Sequence, residues 1–433
     1  MTAEQYVNDL LAFIDASPSP WHTVNTIEKL LLAFGFKKLD ETEKWQLEVG
    51  GRYYVIRGDS SIVILVCGLK PLSETGFKII GAHTDSPGLR IKPNPANLLD
   101  SYLRLSVEVY GGPIIATFAD RDLSLAGRVA YSQGDNSVAQ ALVKFDQVLL
   151  RLPNLAIHMN RGVNEEGLKF HKQFELPLIL TTFAQSQLPL PYFKALLAQQ
   201  AGVMAEQILS WDLALYDTQK GCFWGAEQEF FADSQLDNLA SCHAALSALL
   251  DEQILQADSS LICAFFDHEE VGSTSLKGAD GSFLPDILQR IALATGLDQQ
   301  DYQRALAQSF MISADMAHAY QPNFPNAYDA DHKVFVNQGP VIKVNANQRY
   351  SSDGYSEALF TRWCEQADVP YQKYSHRCDL PCGSTIGPAL SAKLGIKSVD
   401  VGNPMWAMHS IRESAGVKDH TDMIKVMQRF FKV

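Results

Sequence analysis

The apolar run Leu261–Phe266 is followed at once by Asp267-His268-Glu269-Glu270, and this junction most constrains the fold. A short uninterrupted apolar run is typical of a strand buried on both faces, as in parallel sheets covered by helices. Two carboxylates just beyond a strand end suit metal-assisted hydrolysis, in which one binds the ion and the other handles protons. Gly272 permits the strand to break there, so that both glutamates can reach one site. The alternative for an isolated Glu-Glu pair is a solvated acidic turn.

Helical and strand-like segments alternate from Gln235 to the end of the chain. In this region the spacing predicts helices at 238–254, 284–294, 357–366, 384–394 and 421–431, and strands at 261–266, 310–313, 341–344 and 398–401. Three further strands are predicted near the start of the chain, at 53–57, 61–67 and 78–82. This order predicts an α/β domain with three α/β/α layers and a mainly parallel sheet. Ligands of such sheets bind beyond the carboxyl ends of the strands, which is where the candidate residues fall.

The pattern of apolar and polar residues changes between about residues 88 and 232. Short apolar runs at 103–110, 114–117, 125–130 and 178–182, separated by turns, predict a mostly β insertion. A chain of 433 residues is long enough for two cores. We therefore predict a catalytic domain at 1–90 and 233–433, interrupted by a β-rich domain at 91–232.

The composition indicates a globular protein and excludes several partners. The formal net charge of −13 argues against nucleic acid and against an anionic membrane. The stretch Met1–Ser17 lacks a cationic region, and no apolar run approaches the ~20 residues of a spanning helix. The seven scattered cysteines suit free thiols in the cytoplasm. Cys378 and Cys382 near His376 suggest an alternative zinc site, although no second ligand pair stands nearby.

Two segments place ligand-type side chains at the ends of predicted elements. His83 comes just after the strand at 78–82, and Asp85 shares its face if the backbone stays extended. A carboxylate beside a metal-binding imidazole fixes its tautomer and raises its basicity. Asp237 stands just before the helix at 238–254, where it is either an N-cap or a carboxylate that bridges two metal ions.

Two later segments add further candidates. Asp315 follows the strand at 310–313, with His318 three residues further on. His409 follows the strand at 398–401. Each of these residues is ambiguous by itself, but all of them follow predicted strands.

The formal charges of these residues suit a pair of divalent ions. Asp237, Glu270 and Asp315 carry −3 together, whereas two divalent ions carry +4. The remaining +1 suits a bridging hydroxide, with Glu269 left as the general base. One neutral histidine for each ion would complete the two ligand spheres.

Taken together, these motifs resemble the aspartyl aminopeptidase family of co-catalytic zinc exopeptidases. The similarity extends over nearly the whole chain and rests on motifs in family order: Gly81–Pro87, Leu236–Asn238, Asp267–Ser273, Ser313–Ala319, Gly339–Asn345, Cys382–Pro388 and Met408–Glu413. The resemblance implies a zinc exopeptidase-like catalytic domain interrupted by a dimerisation domain.

The resemblance also implies two zinc ions in each subunit, for which manganese or cobalt are acceptable substitutes. His83, Asp237 and Asp315 would hold one zinc. Asp237 would also bind the second zinc, together with Glu270 and His409.

Further roles follow from the same resemblance. Glu269 would be the catalytic acid and base, and Asp85 would orient the histidine of the first zinc. His318, Lys343 and Tyr350 match positions that contact substrate. A buried ammonium at Lys343 would pair with an acidic side chain of the substrate's first residue. A lysine in a strand is otherwise more often exposed.

His158 matches a family histidine that reaches the active site of a neighbouring subunit from the inserted domain. The resemblance therefore implies a homo-oligomer, namely a tetrahedral dodecamer built from dimers. The chain departs from animal members at Tyr320-Gln321-Pro322, where a histidine often follows the Ala-His-Ala segment. This difference bears on the rim of the pocket and not on catalysis.

The sequence thus predicts a cytoplasmic metalloaminopeptidase that hydrolyses the N-terminal residue, preferably Asp or Glu, from peptide substrates. One alternative is the same scaffold with a preference for neutral residues such as leucine. A carboxypeptidase would need an arginine to clamp the terminal carboxylate. A non-enzymatic assembly or binding protein should have lost a ligand or the base, whereas all six positions here carry competent residues.

Overall fold

The computed structural model describes residues 1–134, 136–184 and 186–433. The helices are α1 (Ala3–Asp15), α2 (Pro20–Ala33), α3 (Leu72–Thr75), α4 (Val163–Glu166), α5 (Pro189–Ala201), α6 (Leu236–Leu249), α7 (Phe283–Ala294), α8 (Gln299–Gln308), α9 (Gly354–Gln366), α10 (Ile386–Leu394) and α11 (Val417–Lys432). No helix in these ranges is long and apolar enough to cross a membrane.

The strands follow the same chain order. They are β1 (Lys37–Lys38), β2 (Arg52–Arg57), β3 (Ser61–Val66), β4 (Phe77–His83), β5 (Gly88–Leu99), β6 (Tyr102–Tyr110), β7 (Leu123–Gly134), β8 (Ser137–Lys144), β9 (Leu178–Thr182), β10 (Ile208–Asp217), β11 (Cys222–Trp224), β12 (Phe230–Asp233), β13 (Ser260–Phe266), β14 (Phe310–Ala314), β15 (Ala317–His318), β16 (Val341–Val344), β17 (Gln372–Ser375), β18 (Lys397–Gly402), β19 (Pro404–Trp406) and β20 (Glu413–Gly416).

The main sheet has the strand order β1-β2-β3-β13-β4-β14-β18-β16-β17. Its four central strands, β13, β4, β14 and β18, run parallel to one another. The flanking strands β3 and β16 pair antiparallel with this centre. The prediction of a mainly parallel sheet is therefore confirmed, and antiparallel neighbours border its parallel centre.

Alternate residues of the central strands face two separate cores, because side chains of a strand point to opposite faces in turn. Ile80 and Cys263 pack on the side covered by α1, α2, α6, α9 and α11. Ile79 and Ile262 pack on the side covered by α7, α8 and α10. The main sheet is thus the middle of three α/β/α layers, as predicted.

A second sheet, with the order β8-β7-β10-β5-β6-β9, forms the inserted β-rich part. Its neighbouring strands are antiparallel, and α5 packs against it through Phe193 and Leu197. A third sheet joins β11, β12, β20, β19 and β15. The limits 91 and 232 for the insertion stay a prediction, since the second sheet runs from Gly88 to Asp217 and β12 pairs with β20.

The predicted strand at 114–117 is wrong. The chain forms a short 3-10 turn at Ile115–Phe118 instead. The backbone N–H of Thr117 donates to the carbonyl of Ile114 at 2.9 Å, and its hydroxyl donates to the same oxygen at 2.7 Å. Pro113 just before lacks a backbone N–H for a strand ladder, which favours the turn.

Candidate metal centre

Strand ends bring the predicted residues to one edge of the main sheet. Phe266, the last residue of β13, pairs with His83, the last residue of β4. Asp315 follows β14 directly, and its N–H donates to the carbonyl of Val401 in β18 at 2.9 Å. Asp237 lies at the start of α6 and is buried. Parallel strands end on the same side of a sheet, so these side chains converge there.

The two glutamates lie in a short 3-10 turn, Glu269–Val271, directly after the buried strand. The residues on either side, His268 and Gly272, have left-handed backbones with φ of +67° and +96°. A strand would send adjacent side chains to opposite faces, whereas this turn directs Glu269 and Glu270 into one cavity. The break predicted from Gly272 is therefore present.

The two carboxylate oxygens of Asp237 face two different histidines. Its Oδ1 lies 3.3 Å from His83 Nε2, and its Oδ2 lies 3.4 Å from His409 Nε2. Asp315 Oδ1 stands on the first side, 3.6 Å from His83 Nε2. Glu270 Oε2 stands on the second side, 3.6 Å from His409 Nε2. Asp237 is thus the common member of two groups, each with one imidazole and one further carboxylate.

These side chains fit divalent metal ions. Within the described part of the chain, the only cluster of three or more ligand-type residues is His83, Asp237 and Glu270, whose donor atoms lie within 4.8 Å of one another. Asp237 Oδ1 is buried and has no hydrogen-bond partner among the described residues. Imidazole nitrogen and carboxylate oxygen are ligands that zinc accepts. The alternative zinc site at Cys378 and Cys382 does not form such a cluster.

Asp85 holds the Glu269–Val271 turn and His83 together. Its Oδ1 accepts the N–H of Glu269 and its Oδ2 accepts the N–H of Glu270, both at 3.1 Å. The backbone carbonyl of Asp85 lies 3.0 Å from His83 Nδ1. When Nδ1 donates to this carbonyl, Nε2 of His83 presents a lone pair towards Asp237.

Glu413 has an equivalent place on the second side, and the sequence did not single it out. Its Oε2 accepts the N–H of Asp237 at 3.0 Å, and its Oε1 accepts the N–H of His409 at 2.6 Å. The sequence feature that could have identified Glu413 is its position four residues after His409, within the Met408–Glu413 motif. A buried carboxylate is rare unless it is paired, so its 2% exposure marks it as structural support for the centre.

The concentration of negative charge shifts the ionisation of these groups. Burial, followed by the charge of Asp237, raises the pKa of Glu270 above its ordinary value. Burial likewise raises the pKa of Glu269, to which Asp315 adds. Burial alone would lower the pKa of His83, but hydrogen bonds with the surrounding carboxylates raise it. Divalent cations would relieve this repulsion.

The predicted substrate residues lie in the same cavity, whose volume is about 720 Å³. His318, Lys343 and Tyr350 line it together with the candidate ligands. Lys343 is only 2% exposed. Its ammonium donates to the carbonyl of Met316 at 3.1 Å and lies 3.5 Å from Asp315 Oδ2. It also lies 5.1 Å from the centre of the Tyr350 ring, which fixes its position further.

His318 and His158 have opposite environments. Burial, followed by the charges of Lys343 and His376, lowers the pKa of His318 to about 4. The imidazole of His318 is therefore neutral at neutral pH. His158 is exposed in a turn of the inserted part and does not line this cavity.

Arg349 lines the cavity as well and was not predicted. It is exposed, whereas Lys343 is buried, so the two cations lie at different depths. Nothing in the local sequence distinguishes Arg349 from a solvated surface residue.

Comparison with known proteins decides the family. The family described as Aminopeptidase I zinc metalloprotease (M18) matches residues 13–431. The chain belongs to this family. The chain is similar to a probable M18 family aminopeptidase 2 of Stutzerimonas stutzeri, with 45% identity over 426 residues that cover 98% of this chain and 97% of the relative. It is therefore a metalloaminopeptidase, and its family is one of zinc metalloproteases.

Solved structures agree with this assignment. One chain in the structure of the Ape4 and Nbr1 complex has a TM-score of 0.96 at 38% identity, covering 99% of this chain and 86% of that one. The S. cerevisiae mApe1 dodecamer has a TM-score of 0.86 at 28% identity, covering 99% of this chain and 97% of that one. The fold of this chain is that of the M18 aminopeptidases.

The shared position of Asp237 gives a testable prediction. Because Asp237 faces both histidines, Asp237→Ala should reduce zinc content more than Asp315→Ala, which touches one side only. Zinc per chain is measured by atomic absorption after gel filtration, with Asp301→Ala, a partly exposed carboxylate of α8, as the control. Equal zinc contents in Asp237→Ala and Asp315→Ala would contradict a bridging role.

Proposed function

We propose that this aminopeptidase removes N-terminal aspartate or glutamate from peptides with the help of two zinc ions. The observation that carries the specificity is Lys343, an ammonium buried in the same cavity as the candidate ligands. A buried charge is costly unless it has a partner. Lys343 has the Met316 carbonyl at 3.1 Å and Asp315 Oδ2 at 3.5 Å as partners, and an acidic side chain of the substrate would add a further one from the open side of the cavity.

The chain offers one group of ligands for each ion. His83, Asp237 and Asp315 would hold the first zinc, and Asp237, Glu270 and His409 would hold the second. When bound, the zinc ions supply a Lewis acid for the scissile carbonyl and lower the pKa of water.

Glu269 is the proton carrier in this proposal. It lines the cavity beside the ligands, and the N–H of its own backbone is held by Asp85. Its carboxylate takes a proton from the attacking water and delivers it to the amine that leaves. Burial raises the pKa of the Glu269 carboxyl, and bound cations would offset the part of this rise that comes from the neighbouring carboxylates.

The rest of the cavity would bind the first residue of the peptide. The carboxylates of the centre attract the free α-ammonium, which an internal peptide bond lacks. Lys343 pairs with the acidic side chain, and Tyr350 supports the ammonium from one side. Neutral His318 can donate a hydrogen bond without adding charge.

A preference for neutral residues such as leucine is the second candidate. Asp315 Oδ2 lies 3.5 Å from the Lys343 ammonium and partly neutralises it. If this pair persists with substrate bound, Lys343 has less charge to offer an acidic side chain.

We also propose that the chain forms a tetrahedral homododecamer built from dimers in the cytoplasm. The dodecamer of the related mApe1 supports this assembly. His158 is exposed in the inserted part, next to the exposed Ile157 and Met159, and is free to approach another subunit. All seven cysteines, which lie within the described ranges, are unpaired, as is usual in the cytoplasm.

Metal removal tests the reaction and its specificity. We expect the metal-stripped protein to be inactive and to regain activity with zinc, manganese or cobalt. Initial rates are compared on peptides that begin with Asp, Glu or Leu. Faster cleavage after Asp or Glu supports the acidic preference, and faster cleavage after Leu supports the second candidate. Inactivity with every metal would instead support a protein that only binds or assembles.

Glu269→Gln should bind zinc and fold normally but lose activity by about 10²–10⁴-fold, because an amide cannot carry the proton. The turnover number is measured on an Asp-terminated peptide alongside the zinc content. Glu365→Gln, an exposed glutamate of α9, is the control. A Glu269→Gln enzyme that keeps most of its turnover would remove Glu269 from this role.

Lys343→Met keeps the buried aliphatic stem and removes the ammonium. We expect kcat/KM to fall at least about tenfold for Asp-terminated peptides and little for Leu-terminated ones. Lys373→Met, on the adjacent strand β17 and exposed, is the control. Equal losses on both substrates would show that Lys343 does not select acidic residues.

A further inference from the structure

A segment of the inserted part lies against the metal centre. Strand β6 of the second sheet ends at Tyr110, and Gly111, Gly112, Pro113 and Ile114 lead from it to the 3-10 turn. We call these five residues the Tyr110–Ile114 segment. The sequence predicted no functional role for any of them, and none is a candidate ligand. Three contacts tie the segment to both sides of the centre.

The first contact is a hydrogen bond to Asp85, the residue that holds the Glu269–Val271 turn. The Tyr110 hydroxyl donates to Asp85 Oδ2 at 2.7 Å, the same oxygen that accepts the N–H of Glu270. The Arg90 guanidinium stacks 4.4 Å from the centre of the Tyr110 ring and limits its movement. Tyr110 therefore fixes the carboxylate on which Glu269 and Glu270 depend.

The second contact orients His409. Its Nδ1 lies 3.1 Å from the carbonyl of Gly112, and its own carbonyl accepts the N–H of Ile114 at 2.9 Å. Donation from Nδ1 to Gly112 leaves the Nε2 lone pair pointing at Asp237 and Glu270. The backbone of His409 is left-handed, with φ of +68°, so it needs such external support.

The third contact is steric. Gly111 has a φ of +65°, and a Cβ placed on it would lie 3.1 Å from Glu270 Cβ and 3.2 Å from the Glu270 carbonyl. The backbone of the segment therefore packs directly on the turn that presents Glu270. A side chain at this position would push the turn away.

We propose that Tyr110, Gly111 and Gly112 are positioning residues of the metal centre, through which the inserted part sets the second zinc site. This inference rests on the proposed zinc function. The outer partners of metal ligands commonly contribute about 10–100-fold to metal affinity or activity. Here these partners come from the inserted sheet, so the position of that sheet determines how well Glu270 and His409 bind metal.

The first test removes one hydroxyl. Tyr110→Phe keeps the ring beside Arg90 and loses the hydrogen bond to Asp85. Tyr216→Phe is the matched control, because its hydroxyl donates to the Phe145 carbonyl at 2.5 Å within the same inserted part. Zinc affinity of the full chain is measured by competition with a chromophoric chelator. We expect the weaker zinc to dissociate at least about tenfold more readily in Tyr110→Phe and to be unchanged in Tyr216→Phe.

The second test adds one methyl group. Gly111→Ala should disturb Glu270, whereas Gly202→Ala has a similar φ of +68° and nothing within 4 Å of the added atom. The backbone cost is therefore matched, and only the contact with Glu270 differs. We expect Gly111→Ala to weaken zinc binding and to alter the visible spectrum of the cobalt-substituted protein. Gly202→Ala should leave both unchanged.

Two readouts separate positioning from simple destabilisation. The thermal midpoints of the metal-free Tyr110→Phe and Tyr216→Phe proteins should be similar, and kcat should fall in Tyr110→Phe while KM changes little. Wild-type zinc affinity and cobalt spectrum in both Tyr110→Phe and Gly111→Ala would overturn the inference. A wild-type chain that binds no zinc would instead overturn the proposed function itself.

Discussion

The rest of the structure depends on the negative charge collected at the end of the parallel sheet. Asp237, Glu269, Glu270 and Asp315 share one cavity, and each buried carboxylate costs free energy unless a hydrogen bond or a cation compensates it. The fold supplies a hydrogen-bonded frame through Asp85, which accepts the backbone N–H groups of Glu269 and Glu270. Among the described residues, the buried ammonium of this cavity, Lys343, forms an ion pair with Asp315 alone, so the remaining negative charge suits bound cations.

Separate parts of the chain build this centre, and each contributes a different constraint. The main sheet places His83 and Asp315 at strand ends with fixed spacing. The third sheet carries Glu413, which holds the backbones of Asp237 and His409. The second sheet contributes the Tyr110–Ile114 segment, which continues from β6 and contacts Asp85, Glu270 and His409. The second sheet also contacts the catalytic part elsewhere, since Arg128 donates to Asp59 and Lys144 donates to the carbonyl of Asp15. The Tyr110–Ile114 segment adds contacts at the candidate metal centre itself.

The spacing of apolar residues predicted most strands and helices of the catalytic part, but fewer of those in the insertion. The central strands are uninterrupted apolar runs, which have few alternatives once helices alternate with them. Strand β5 was missed because Pro93 and Pro95 interrupt its pattern, and a register shift between Ile91 and Ala96 accommodates them. Helix α5 was missed because the surrounding sequence consists mostly of short strand-like runs. The β5 error arises where a register shift overrides the local preference, whereas α5 follows its own helix-forming residues Ala, Leu and Gln.

The sequence by itself determined which residue types stand at the ends of the strands, and hence the candidate metal donors and the candidate general base. Only the tertiary structure decided that the two oxygens of Asp237 face different histidines, that Lys343 is buried, and that Glu413 and Tyr110 support the centre. Tyr110 and Asp85 are 25 residues apart, and Asp237 and Glu413 are 176 apart. Periodicity describes only neighbours along the chain, so contacts at such separations become visible only when the sheets are packed together.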